Sequence, residues 1–157
     1  MMKNFFFTPF LILLLTSSCG FKVLNLSEIN NFYVKEVKTE GEKRIGNQIK
    51  KKILLTFNEN QKNEISIKLK TTKNKSINEK NINNEITKFK IIIMSNLEIT
   101  SKNTESIEKI TVSNSGIYEV GSKHTQTLTN ERSLIKSLTE SHIDEIIEEL
   151  ILKSSDK

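Results

Sequence analysis

The spacing of apolar residues changes repeatedly along this chain, and each spacing predicts an element. The stretch NFYVKEV, Asn31 to Val37, is rich in aromatic and β-branched residues and reads as a strand. After the polar break TEGEKR, the residues Ile45, Ile49, Ile53 and Phe57 recur at every fourth position, with Leu54 beside them. That is one face of an amphipathic helix over about Lys43 to Asn58. Next, Ile65, Ile67 and Leu69 alternate with Ser66, Lys68 and Lys70, the pattern of a half-buried strand over Glu64 to Lys70. The basic, asparagine-rich stretch from Thr72 to Asn84 reads as a loop.

A longer strand is predicted from Glu85 to Ser101. Phe89, Ile91, Ile93, Leu97 and Ile99 fall on one side of it, and the other side is apolar only at Ile92 and Met94. Phe89, Ile91 and Ile93 are expected to face the helices, opposite Ile49, Ile53, Leu138 and Ile146. A fourth strand follows over Ile107 to Val120, with a bend or bulge expected at Gly116 and Gly121. The last helix is predicted over Thr129 to Lys153, capped by Thr129 or Asn130. Leu134, Ile135, Leu138, Ile146, Ile147, Leu150 and Ile151 form its apolar stripe. Glu140, Asp144, Glu145, Glu148 and Glu149 give it an acidic outer face.

The order β–α–β–β–β–α predicts an α+β fold, with two helices packed on one face of a four-stranded mixed sheet. The first helix is a crossover, so the strands flanking it should be parallel, with a right-handed connection. The later connections are short enough for antiparallel hairpins. There is no internal repeat.

The N-terminus follows a different pattern. Met1, Met2 and Lys3 form a short basic head, Phe5 to Leu15 an apolar run, and Thr16, Ser17 and Ser18 a small-residue exit. That is the layout of a secretory signal peptide. The run is about half of the roughly 20 residues that a spanning helix needs. Cys19, the single cysteine, comes next. One cysteine cannot form an intrachain disulfide, so the fold must rest on a packed core. Its placement resembles the lipobox of bacterial lipoproteins, with Thr16 where leucine is commonest. The resemblance implies cleavage before Cys19 and acylation of its sulfur and new amino group, a stable tether when several chains are attached. Gly20 follows in place of aspartate, which in enteric-type sorting directs a lipoprotein to the outer membrane. The chain therefore divides into a signal peptide (1–18), a lipidated linker (19–30), a domain (31–153) and a frayed tail (154–157).

Charge narrows the partners. The chain carries 24 Lys and Arg against 19 Asp and Glu, a net +5. Loss of the signal peptide removes only Lys3. The richness in lysine, asparagine and isoleucine has the look of an AT-biased genome, which discounts the basic balance. Basic surface suits an anionic membrane or lipopolysaccharide phosphates, and export argues against nucleic acid. Enzyme chemistry is not expected, and neither is a cofactor. His124 and His142 do not share metal-ligand spacing, no serine lies in a G-x-S-x-G elbow, and the five glycines are scattered. His124 reads as a loop residue and His142 as a surface or partly packed one.

The start CGFK (Cys19 to Lys22) and the element order that follows resemble the lipopolysaccharide-assembly lipoprotein LptE family. IGNQIKKKILLTF matches the family's first helix and NERSLIKSLTESHIDEIIEEL its last, so the resemblance spans Cys19 to Lys153. The chain departs from the family in the unusually lysine- and asparagine-rich stretch after Leu69. The resemblance implies a lipid-anchored outer-membrane protein, on the periplasmic side, that plugs the LptD β-barrel, assists its assembly and takes part in lipopolysaccharide transport. It also places basic residues against lipopolysaccharide, here Lys73, Lys75, Lys80 and Lys123. The alternative is an auxiliary lipoprotein of another envelope lipid-transport or secretion system, of the pilotin kind.

Overall fold

The computed structural model describes residues 32–57, 63–102 and 107–155. Its elements run β1 (Phe32–Gly41), α1 (Lys43–Thr56), β2 (Asn63–Lys80), β3 (Ile86–Ser101), β4 (Ile107–Glu119) and α2 (His124–Ser155). The sheet order is β1-β2-β3-β4. β1 pairs with β2 in parallel, while β2–β3 and β3–β4 are antiparallel. This is the expected α+β arrangement. Cys19 and the other N-terminal residues discussed above lie outside the described residues.

The core follows the rhythm of the sequence. On β3, Ile91, Ile93, Leu97 and Ile99 are buried, with Phe89 partly buried against them. Ile45, Ile49 and Ile53 of α1, Ile65, Ile67 and Leu69 of β2, and Leu138, Ile146 and Leu150 of α2 pack with them, joined by residues of β1 and β4 such as Val37 and Val112. Each such side chain contributes about 1.5–3 kcal/mol through burial. Phe57 stacks on Phe32 at 5.1 Å between ring centroids, and its carbonyl accepts a bond from the Val34 N–H. The C-terminal end of α1 is thereby fixed beside the start of β1.

Two glycines fit close approaches. Gly41 has φ +86°, and a Cβ there would stand 2.1 Å from the Thr71 carbonyl oxygen. That oxygen accepts the Glu42 N–H at 2.8 Å, so the end of β1 is clamped onto β2 where α1 begins. Gly116 corrects an expectation. β4 pairs with β3 through it without a register shift. A Cβ there would lie 2.6 Å from Leu134 Cδ1, so the glycine makes room for α2 and introduces no bulge. The irregularities fall elsewhere, between Val34 and Glu36 on β1 and around Glu79 on β2.

The largest departure is the length of β2. The expected loop after Leu69 is mostly strand, paired with β3 from Ile65↔Ser101 out to Lys80↔Ile86. β1 accompanies β2 only as far as Thr71. From Thr72 to Lys80, β2 has β3 on one side and, among the described residues, an open edge on the other. Asn81 closes the hairpin, its Oδ1 accepting the N–H groups of Asn83 and Glu85 at 3.0 and 2.9 Å. Asn84 takes the positive φ of 64°, which asparagine tolerates better than most residues.

α2 begins at His124, ahead of the expected start, so Thr129 and Asn130 lie inside it and do not cap it. Asn130 Nδ2 instead donates to the Glu119 carbonyl at 2.9 Å and ties the helix to the end of β4. From there α2 runs back along β4, meeting Gly116 with Leu134 and Asn114 with Glu145. Among the described residues no helix is long and apolar enough to cross a membrane.

Candidate functional site

Lys73 and Lys75 alternate with Asn74 on β2, in the stretch beyond β1. They share the sheet face that α2 covers, since their partners Ile93 and Ile91 are core residues. Lys75 is engaged there. Its Nζ donates to Glu131 Oε2 at 2.7 Å and stands 4.4 Å from the Phe89 ring centroid and 5.2 Å from that of Tyr118. The two rings stack at 5.6 Å, and the Tyr118 hydroxyl donates to the same Glu131 oxygen at 2.9 Å. Burial is the largest single influence and works against the ammonium, but Glu131 and Tyr118 together, through hydrogen bonds and charge, outweigh it and its pKa is raised. The Lys75 hydrogen bond holds the Glu131 carboxyl below its usual range, with Lys73 adding a weaker pull in the same direction. Cation, aromatic pair and carboxylate thus join β2, β3, β4 and α2 at one point.

The other basic candidates are looser. Lys80 closes β2 and donates to Asn84 Oδ1 at 2.9 Å. Lys123 is exposed just before α2, and its carbonyl accepts the N–H groups of Gln126 and Thr127. Val120 bonds to Thr87, so Lys123 and Lys80 both belong to the hairpin end of the sheet. The fold therefore places Lys73 and Lys75 side by side on one strand and brings Lys80 and Lys123 to the same end of the molecule.

A second cluster was not expected from the sequence. His142 is fully buried, as are Ser95 and Thr71; the surface or partly packed placement expected for His142 is corrected. His142 occupies the turn between Leu138 and Ile146 on the apolar stripe, and that gap in the stripe was the available signal. Its partners set its proton. Asn114 Nδ2 donates to Glu145 Oε2 at 2.7 Å, so Asn114 Oδ1 is the acceptor for His142 Nδ1–H. Nε2 then accepts the Ser95 hydroxyl at 2.8 Å, and Ser95 Oγ accepts the Thr71 hydroxyl at 3.0 Å. Burial lowers the His142 pKa, against a smaller opposing pull from Glu145. The neutral ring satisfies every member of a chain that crosses β2, β3, β4 and α2.

Ser95, His142 and Asn114 have the connectivity of a nucleophile, base and orienting group. Ser95 and His142 are buried in the core, however, and neither lines the depressions described next. Two depressions lie elsewhere on the domain. One, of about 410 Å³, lies on the uncovered sheet face between Glu40, Lys68, Asn96, Glu98 and Lys109. The Lys68–Glu40 and Lys109–Glu98 pairs, at 3.4 and 3.3 Å, line it. The other, of about 430 Å³, lies between the outer edge of β4 and α2. Neither is lined by a histidine or a cysteine. Among the described residues no group of His, Cys, Asp and Glu could hold a metal ion. His124, expected in a loop, is the first residue of α2.

No family model and no curated protein matches the sequence. Solved structures do match the fold. The rare lipoprotein B of Shewanella oneidensis aligns with 76% of this chain and 92% of its own at TM-score 0.51 and 10% identity. A lipoprotein of Caulobacter crescentus CB15 aligns with 79% of this chain and 92% of its own, at 0.51 and 11%. Lipoprotein B of Nitrosomonas europaea covers 80% and 88%, at 0.54 and 13%. The chain shares its fold with these bacterial lipoproteins.

Proposed function

We propose that the chain is an outer-membrane lipoprotein of the LptE type, without enzymatic activity, that plugs and assists assembly of the LptD β-barrel and takes part in lipopolysaccharide transport to the cell surface. The observation that carries this reading is the fold shared with a rare lipoprotein B over most of both chains. The Cys-Gly-Phe-Lys start supports it. A single sheet with one helical layer is slim enough for a large barrel, whose interior is polar. Its uncovered face is correspondingly polar, with ion pairs at Lys68–Glu40 and Lys109–Glu98. Among the basic candidates Lys73, Lys80 and Lys123 are available to lipid A phosphates, while Lys75 would first have to exchange Glu131.

Affinity purification of the lipidated chain from envelopes tests the reading. A large outer-membrane β-barrel should come down with it in stoichiometric amounts. Recovery of a secretin or an inner-membrane transporter instead would identify the pilotin-like alternative. The anchor has its own test. Cys19→Ala should leave an unprocessed precursor and abolish incorporation of labelled palmitate. Normal maturation with retained membrane attachment would remove Cys19 as the tether.

A further inference from the structure

Three exposed apolar side chains gather at one end of the domain. Leu55, in the last turn of α1, is 65% exposed, Ile107, the first residue of β4, is 63%, and Leu152, near the end of α2, is 59%. Strand pairing and helix direction put them at the same end. Ile107 sits opposite Thr100, and Ser101 opposite Ile65, near the Phe32↔Asn63 pair that opens the sheet. α1 finishes there, with Phe57 stacked on Phe32. α2 starts at the hairpin end and spans about 48 Å for its 32 residues, so Leu152 comes level with the start of β4.

Cations accompany them. Lys51 and Lys52 are exposed on α1, which carries five Lys and Arg and no acid. Lys153 follows Leu152. None of these three lysines makes an ion pair among the described residues, whereas Lys35 and Lys102 at the same end are held by Glu64. On α2, Glu149 is half-buried one turn before Lys153, and Glu148, Glu145, Asp144 and Glu140 stand further back.

The chain enters the fold at this end, at Phe32. Phe32 stands thirteen positions after Cys19, a reach of about 45 Å at most. Apolar tips, unpaired cations and the route to the lipid anchor therefore converge on one surface. We infer that this end of the domain is a peripheral membrane contact, with Leu55, Ile107 and Leu152 entering the headgroup layer of anionic phospholipid and Lys51, Lys52 and Lys153 meeting its phosphates. The direction of the tether rests on the lipoprotein reading; the contact itself does not need the acyl chains, and the hairpin end stays free for a barrel.

Flotation of the chain from residue 19 onward, carrying Cys19→Ser, with phosphatidylcholine vesicles with and without phosphatidylglycerol, tests this. Binding should require phosphatidylglycerol and weaken with salt. The triple change of Lys51, Lys52 and Lys153 to Gln should reduce it by about 100-fold at low salt, from a contribution of about 1 kcal/mol per surface lysine. Leu55→Ser with Leu152→Ser should weaken it further. Changing Lys70, Lys90 and Arg132 to Gln alters net charge equally and should leave binding in place. Equal loss in both triple variants, binding to lipopolysaccharide but not to phosphatidylglycerol vesicles, or no binding at all would overturn the inference. None of these results touches barrel co-purification.

Discussion

Ile91→Ala should lower the stability of the domain by about 2–5 kcal/mol, while Ile92→Ala, one residue along, should cost about 1 kcal/mol or less. The two isoleucines lie on opposite faces of β3. Ile91 is buried in the core cluster, and its neighbour faces the uncovered side. Successive side chains on a strand point to opposite faces, so the ranking reads the register directly. A domain without a disulfide, held by about 5–15 kcal/mol, has little reserve against the larger loss. Urea unfolding of both variants is the measurement. Equal midpoints, or the reverse ranking, would show that the register assigned to β3 is wrong.

Acidification should weaken the domain through His142. Its ring is neutral in the fold because burial lowers its pKa, and the Ser95 hydroxyl occupies its second nitrogen. In the unfolded chain it titrates near 6.5. Above that value neither state binds the proton and stability is fully present. As pH falls below it, the unfolded chain takes up a proton that the native ring refuses, and stability drops by up to about 1.4 kcal/mol per pH unit until the native value is reached. His142→Leu should remove this slope. It should also cost about 2–5 kcal/mol at neutral pH, because Ser95 and Asn114 each lose a buried partner. Glu64, Glu79 and Glu131, whose pKa values are lowered chiefly by hydrogen bonds from Lys35, Lys88 and Lys75, add losses at more acidic pH in both chains. Wild-type stability that stays flat between about pH 7 and 5.5 would refute the buried neutral ring.

Where burial imposed a period, the sequence could be read. Ile45, Ile49 and Ile53 mark α1, and the alternation from Phe89 to Ile99 marks β3, because each faces the same core. β2 beyond Thr72 was misread for the converse reason. Lys73 to Lys80 are all exposed, so no apolar alternation records the strand. It is held by the ladder to β3, which single-sequence patterns do not reveal. The start of α2 was missed because His124 to Thr127 carry no apolar residue. His142 was misjudged because a histidine among leucines and isoleucines shows its role only once Ser95 and Asn114 are brought to it from other strands. The Lys75–Glu131 pair was equally hidden, since its members stand 56 residues apart.

The open edge of β2 has a consequence for crowding. Unpaired backbone groups along a strand edge are a template for any extended chain, and edges of this kind drive sheet-to-sheet association between copies. Under the proposed anchor, molecules tethered to one leaflet would meet in two dimensions, at high local concentration and with a shared orientation. The residues that made this stretch look like a loop are the ones that discourage such pairing. Lys73 and Lys80 recur along the edge, so a second copy laid against it would set ammonium groups beside ammonium groups. The bulge around Glu79 also breaks the regular ladder near its tip. Exchanging these two lysines for threonine would keep the strand paired to β3 and remove that repulsion.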